Sequence, residues 1–288
     1  MAILADMAGV LTYLVFGTDE YSVAAKAKEI AEKLVPETER SLGLEIIDGR
    51  ATNAEEAIRA LSLCMEALQT VGFFGSRKVV WLRDATFLAD NVAGKTDGVK
   101  VGVSSLADVI DRGLSGSNLL LVTSAQIDKR YGFFKICAAR GEVYEYSHSE
   151  KAYQVEKDAQ QKVFGILNQV GLKIGPEALD LFLGKVGTDT RQIVNELQKL
   201  AVFMGKRIEV KTVDVEAITS SSRTAMVWDL ADAAGKRDLG MALEVMRQLL
   251  FQNKKEAPMR LIMTLEGRMR ELTFYREAVE KKWLREKA

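Results

Sequence analysis

The sequence has few of the residues that build metal sites or disulfide frameworks. It contains two cysteines, Cys64 and Cys137, and a single histidine among 288 residues. Since a structural zinc site takes four ligands, mostly Cys or His, we expect no metal site. Both cysteines fall in apolar helical patterns, where a thiol packs as a small hydrophobic group. We therefore expect both to be buried and free.

The sequence also lacks an excess of either charge and any long apolar run. Forty basic and forty acidic residues cancel, so any contact with DNA must come from a local patch or a shared surface. No apolar run reaches the roughly 18 residues of a membrane span, and the N-terminus lacks the basic-then-apolar pattern of a secretory signal. We expect no membrane partner and a cytoplasmic location.

Only three prolines interrupt the chain, against 22 glycines, which favours helices joined by short turns. In the first half, short apolar runs alternate with amphipathic stretches, a pattern typical of a parallel sheet covered on both faces. Segment 90–104 is rich in polar and small residues and is predicted to be a loop. The predicted strands are 12–16, 44–47, 79–82, 119–123 and 142–146, and the predicted helices are 19–34, 54–70, about 104–114 and 129–140. This predicts an α/β domain over residues 1–147.

After residue 147 the strand signal disappears and helical periodicity takes over. A small helical domain is predicted over 148–220 and a third, also helical, over 221–288. The predicted helices are 151–170, 176–183, 191–204, 212–219, 228–234, 239–251 and 257–282. The last of these ends without a packing partner, so the third domain is expected to be incomplete.

The turn after the first strand lacks a phosphate-binding loop. A P-loop at this place reads Gly-x-x-x-x-Gly-Lys-Ser/Thr, but Gly17 is followed by Thr-Asp-Glu-Tyr-Ser. Asp19 and Glu20 stand where phosphates would need N–H groups and a cation. The chain's literal Gly-Lys-Thr, at 94–96, follows a polar stretch and is interpreted as a solvated loop. These features argue against an ATPase.

Two further positions give the same indication. The third strand ends in Arg83 and Asp84, where a nucleotide hydrolase would place a magnesium-binding Asp, and Arg83 would repel the cation. Asp84 is interpreted as a loop-capping carboxylate. Arg191 opens a helix at a place where nucleotide-dependent proteins of this class read the γ-phosphate, but without a phosphate site it is interpreted as a surface contact. We expect a degenerate nucleotide site, with no cofactor and no catalytic residue.

The most distinctive short segment runs from Val71 to Arg77 and contains two adjacent aromatics, Phe73 and Phe74, between glycines. Neighbouring residues at a helix end cannot both point into one core. At least one is a candidate for an exposed apolar anchor, which gains most when a partner's pocket removes it from water. The residues alone favour the other interpretation, in which both rings lie under the sheet.

The chain resembles the delta subunit of bacterial DNA polymerase III, a clamp-loader protein. The matching pieces appear in order through nearly the whole chain. They are Tyr13–Tyr21, Leu68–Val80, Gly187–Arg191 with Asn195–Leu200, and Ala242–Leu250 ahead of Arg260–Leu272.

The resemblance implies an AAA+-type architecture with a RecA-like α/β domain, a helical lid and a C-terminal helical collar. It implies a subunit of a DNA-directed DNA polymerase holoenzyme that opens the sliding clamp without binding ATP. Phe73 and Phe74, with Val71 beside them, would enter a pocket on the clamp. The collar would join the other loader subunits around primed DNA. The collar of the family has more helices than fit before residue 288.

Two other functions compete with this one. The first is an AAA+ ATPase with a divergent phosphate loop. The second is a DNA-binding adaptor that uses basic residues between 260 and 285, although glutamates intersperse them, as on a solvated helix face.

Overall fold

A computed structural model of the chain describes residues 11–70, 78–114, 118–147, 152–252 and 258–283. The chain divides into two compact units, Met1–Glu150 and Lys151–Ala288. No helix among the described residues is long and apolar enough to cross a membrane.

The described part of the first unit is built on a five-stranded parallel sheet. The strands are β1 (Thr12–Phe16), β2 (Leu44–Asp48), β3 (Lys78–Arg83), β4 (Asn118–Ser124) and β5 (Glu142–Glu145), in the order β2-β3-β4-β1-β5. The helices are α1 (Glu20–Leu34), α2 (Arg40–Gly43), α3 (Ala54–Gln69), α4 (Asp97–Arg112) and α5 (Gly132–Arg140). The predicted α/β class is confirmed, and each of the five predicted strands is present.

Alternating side chains of β1 serve two separate cores. Leu14 and Phe16 pack among residues of α3, α4 and α5, whereas Tyr13 and Val15 pack against α1. Apolar side chains on both sides of a strand are what a covered parallel sheet requires. The sheet is thus the middle of three layers.

Helix α4 corrects the predicted loop over 90–104, because it already begins at Asp97. Two of the glycines in this segment, Gly98 and Gly102, are packing residues within this helix. A Cβ on Gly98 would lie 2.9 Å from Cδ1 of Ile58, and one on Gly102 would lie 2.9 Å from Cδ1 of Leu61. These glycines let α4 approach α3 closely, an advantage that outweighs their cost of roughly 1 kcal/mol each in a helix.

The second unit is mainly helical. Its helices are α6 (Ala152–Gln169), α7 (Pro176–Val186), α8 (Thr190–Met204), α9 (Thr212–Ile218), α10 (Arg223–Gly235), α11 (Leu239–Gln252) and α12 (Pro258–Glu280). The expectation that no strand follows residue 147 is wrong, because β6 (Lys173–Ile174) and β7 (Glu209–Val210) pair in parallel. Two residues are too short to give a periodic signal.

The helices of this unit contribute to two distinct apolar clusters. The larger joins side chains between Ala159 and Val215, with Phe182 and Leu200 fully buried at its centre. The smaller joins α10 and α11 through Met226, Leu230, Val245 and Leu249, with Leu261 and Leu265 packed against it.

The buried cysteines give a direct test of the first core. Burial raises the pKa of both Cys64 and Cys137 to about 12. At pH 8 the thiolate fraction would be on the order of one in ten thousand, and the thiolate is the reactive form. We predict negligible labelling of the native protein by a thiol reagent and rapid labelling in urea. Mass spectrometry assigns the modified residue, and fast labelling of either cysteine in native buffer would contradict this packing.

Candidate functional site

The first candidate site is the carboxyl edge of the sheet, where a nucleotide would bind in an ATPase of this class. Only Gly17, Thr18 and Asp19 separate β1 from α1. The Gly17 N–H donates to the Ser124 carbonyl oxygen at 3.1 Å, and the Asp19 N–H donates to the Tyr146 carbonyl oxygen at 2.9 Å. The turn therefore uses these two N–H groups to bind neighbouring chain segments and leaves neither for a phosphate.

Gly17 is required by a close approach of the backbone. Its φ is +143°, and a Cβ built on it would lie 2.1 Å from the Tyr146 carbonyl oxygen. Only glycine tolerates both conditions. The glycine that looks like the remnant of a phosphate loop is thus explained by the segment that follows β5.

The N-terminus of α1 already holds an internal anion. The Asp19 carboxylate accepts hydrogen bonds from the Ser22 N–H at 3.1 Å and the Ser22 hydroxyl at 2.7 Å, and Asp19 is buried. A capping carboxylate satisfies the free N–H groups of the first turn and interacts favourably with the helix dipole. A phosphate group would have to displace it. Glu20 follows, exposed, in the first turn.

Arg83 and Asp84 end β3 at the same edge. The Asp84 N–H donates to the Thr123 hydroxyl at 2.9 Å, its φ is +57°, and its side chain faces solvent. Arg83 pairs in register with Asp48, whose pKa is lowered to about 2 by hydrogen bonds from Arg50, with a smaller effect of the Arg83 charge. Among the described residues, no cluster of three or more His, Cys, Asp or Glu side chains could hold a metal ion.

An open crevice of about 420 Å³ lies above this edge, and the charges on its walls are paired with each other. Lys129 bonds Glu145 at 2.7 Å and lies over the ring of Phe16. Arg130 bonds Asp128 at 2.6 Å and Asp90 at 3.2 Å. A triphosphate, which needs several free donors and a cation, would have to break these ion pairs.

Arg191 lies in the second unit, exposed in the first turn of α8. The helix is capped by Asp189, whose carboxylate accepts from the Gln192 N–H at 2.9 Å. The predicted helix start at 188–191 is therefore correct, whereas the role of the arginine stays a prediction.

The second candidate site is at the opposite, amino edge of the sheet. Val71, Phe73 and Phe74 lie outside the described residues, but the residues on both sides of segment 71–77 are described. Lys78 is buried, and its Nζ donates to the Thr70 hydroxyl at 2.6 Å and to the Ala67 carbonyl oxygen at 2.8 Å. It also bonds the Glu45 carboxylate at 2.8 Å. The residues that flank the segment are thus directly bonded to each other.

Asn118 completes this arrangement from the neighbouring strand. Its Nδ2 donates to the Leu68 carbonyl oxygen at 2.8 Å and to the Thr70 carbonyl oxygen at 3.0 Å. The last carbonyls of α3, which have no partner within the helix, are therefore satisfied by the first residues of β3 and β4. Sequence reasoning missed both residues; the available signal was a polar side chain at the start of an apolar strand.

The basic residues of α12 bear on the DNA-binding alternative. Three arginines of α12 have described side chains, and each pairs with a carboxylate. Arg268 pairs with Asp232 and Glu271, Arg270 with Glu266, and Arg276 with Glu280. Arg260 and Arg285 lie outside the described side chains. These paired charges support the interpretation of a solvated helix surface, because DNA binding needs cations that are free to neutralise phosphates.

Residues 13–147 match the family model described as "DNA polymerase III, delta subunit". DNA polymerase III subunit delta of Bacillus subtilis is 21% identical over 259 residues, which span 90% of this chain and 70% of that protein. The solved Bacillus subtilis DNA clamp loader delta protein (YqeN) has the same fold, with a TM-score of 0.63 at 19% identity over 89% of this chain and 71% of that one. A RuvB mutant of Thermotoga maritima gives 0.36 at 10% identity, over 78% and 70%. The resemblance to the delta subunits of bacterial DNA polymerase III is thereby confirmed.

The closed turn predicts that the isolated chain does not bind ATP. Calorimetric titration with Mg²⁺ and ATP should give no binding heat, with an intact P-loop ATPase as the positive control. Asp19→Ala should cost about 1 kcal/mol of folding stability through loss of the helix cap. It should still bind no ATP, because the turn stays three residues long. Micromolar binding by either protein would overturn this assignment.

Proposed function

We propose that this chain works as the delta subunit of a DNA polymerase III clamp loader and opens the sliding clamp without hydrolysing ATP. The carboxyl edge supports this most directly, since its turn is closed by the chain's own backbone and by Asp19. A chain of this family with no phosphate site must act through binding energy. ATP hydrolysed in sister subunits would then control its access to the clamp.

The proposed clamp contact is the segment that holds Val71, Phe73 and Phe74. Large apolar side chains that enter a partner's pocket supply most of the binding energy of many interfaces. A ligand shifts a conformational equilibrium only by its difference in affinity for the two states. The segment would therefore open the clamp by binding its open or strained form more tightly than its closed form.

The proposed contact with other loader subunits is residues 221–288. Three large apolar side chains there stand well out of the small core: Phe251 is 82% exposed, Leu239 70% and Trp283 66%. Exposed apolar side chains of this size gain binding energy when a partner covers them, and these three support the proposed contact. The separate apolar clusters of the second unit support a division into a lid domain at 148–220 and a collar domain. Primed DNA would then be held by the complex as a whole, because the α12 charges are paired.

We predict that Phe73→Ala and Phe74→Ala each weaken binding of the sliding clamp by roughly 2–4 kcal/mol, the range of central interface anchors. This corresponds to about 30- to 1,000-fold in affinity. Truncating an exposed anchor should leave folding stability nearly unchanged, whereas truncating a core phenylalanine costs about 3–5 kcal/mol. Clamp affinity and urea unfolding are measured on the same mutants. Large losses of stability with normal clamp binding would show that the rings are core residues.

We predict that Phe251→Gln and Leu239→Gln weaken assembly with the other loader subunits while changing unfolding free energy by less than about 0.5 kcal/mol, the usual effect of a surface change. Size-exclusion chromatography of the mixed subunits measures assembly. Val92→Gln is the matched control, because Val92 is equally exposed, at 89%, but lies in the first unit. Assembly that is unchanged in the double mutant would argue against this surface.

A further inference from the structure

The residues that flank segment 71–77 form a continuous polar row along the amino edge of the sheet. Lys78 and Asn118 are direct register partners at the start of β3 and β4, and Glu45 of β2 completes the row through its 2.8 Å bond to Lys78. Lys78 and Asn118 are buried, 7% and 1% exposed. The row therefore crosses three strands directly beneath the C-terminus of α3.

Burying these two side chains costs more than placing apolar ones in the same position would. A charged amine loses its hydration on burial, and the loss is offset only if each of its hydrogens finds a partner. Lys78 finds three: the Ala67 carbonyl oxygen, the Thr70 hydroxyl and the Glu45 carboxylate. A positive charge at a helix C-terminus also interacts favourably with the helix dipole. Two of these three bonds, to Ala67 and Thr70, are made to the C-terminal end of α3.

The C-terminal end of α3 and the start of β3 are the two points of the chain that flank segment 71–77. Thr70 is held through its hydroxyl by Lys78 and through its carbonyl oxygen by Asn118, and the Thr70 hydroxyl also donates to the Ala67 carbonyl oxygen at 3.0 Å. The departure of the backbone is thus fixed at three points. We call Thr70, Lys78 and Asn118 the segment base.

We propose that the segment base positions the clamp-binding side chains, with Thr70, Lys78 and Asn118 acting as positioning residues rather than as contacts. This inference rests on the proposed function of segment 71–77. Immobilising groups at an interface reduces affinity, and residues that are already fixed in the free protein add no further cost on binding. The segment base would thus raise clamp affinity without touching the clamp.

The Thr70 hydroxyl provides the sharpest test, because it can be removed with little change of shape. Thr70→Val should weaken clamp binding about five- to tenfold, the net effect of one typical intramolecular hydrogen bond. Thr70→Ser keeps the hydroxyl and should bind within about twofold of the wild type. Lys78→Met should weaken binding further. Because Lys78 is buried, this mutant can fail to fold, and the comparison of Thr70→Val with Thr70→Ser then decides the test.

Thr86→Val separates positioning from general loss of stability. Thr86 makes a comparable pair of bonds, to the Ala51 carbonyl oxygen at 2.9 Å and from the Ala51 N–H at 3.0 Å, but follows β3 at the opposite edge of the same sheet. The Thr86→Val mutant should lower the urea midpoint about as much as Thr70→Val does. Its clamp affinity should stay within about twofold of the wild type. Equal losses of clamp affinity in both mutants would reduce the segment base to a structural role.

A double-mutant cycle with Phe74→Ala identifies the route of the effect. If the segment base acts through the aromatic anchor, Thr70→Val should lose most of its effect in the Phe74→Ala background, because coupled residues are not additive. Two outcomes overturn the positioning inference but leave the proposed clamp contact intact. One is additive losses of affinity, and the other is a Thr70→Val mutant that binds normally while Phe74→Ala does not. Normal clamp binding by Phe74→Ala refutes the proposed contact and, with it, this inference.

Discussion

Because all five described strands of the first unit run in the same direction, their carboxyl ends lie at one edge of the sheet and their amino ends at the other. The helices cover both faces, which leaves the two edges as the places where loops can carry function. In a nucleotide-binding protein of this class the carboxyl edge does so. Here the turn after β1 at that edge is closed by hydrogen bonds within the chain. The buried, hydrogen-bonded polar side chains of Lys78 and Asn118 lie at the amino edge.

Different kinds of contact stabilise the two edges of the sheet. At the carboxyl edge, backbone hydrogen bonds from Gly17 and Asp19 close the turn, and the Asp19 carboxylate caps α1. At the amino edge, the contacts come from the buried side chains of Lys78 and Asn118. A buried Lys78 whose partners were removed would be an uncompensated charge, a change that costs several kcal/mol. The half-exposed Glu45 carboxylate keeps part of its hydration and lowers the cost of the pair.

The sequence was informative where a pattern reports burial directly and misleading where one residue type has two uses. Short apolar runs located the three central strands β1, β3 and β4 most directly, since a strand covered on both faces is apolar nearly throughout. The small and polar residues of 90–104 suggested a loop, but glycine serves close helix contacts as well as turns, and Gly98 and Gly102 lie against Ile58 and Leu61 of α3. Strands β6 and β7 are too short for any periodicity. The absence of a phosphate loop was readable from the residues, but its replacement by the Tyr146 backbone was not.

Lys78 shows why the candidate site was only half predictable. A lysine that begins an apolar strand has the pattern of a solvated strand end, and nothing in its neighbours indicates that its amine turns under a helix. The partners come from α3 and from β2, the neighbour of β3 in the sheet, and both are distant from Lys78 in sequence or fold back onto it. Aromatic anchors can be proposed from a dipeptide because their chemistry is carried by single side chains. The groups that hold such anchors in place act through long-range geometry, so they become visible only once the strand order is known.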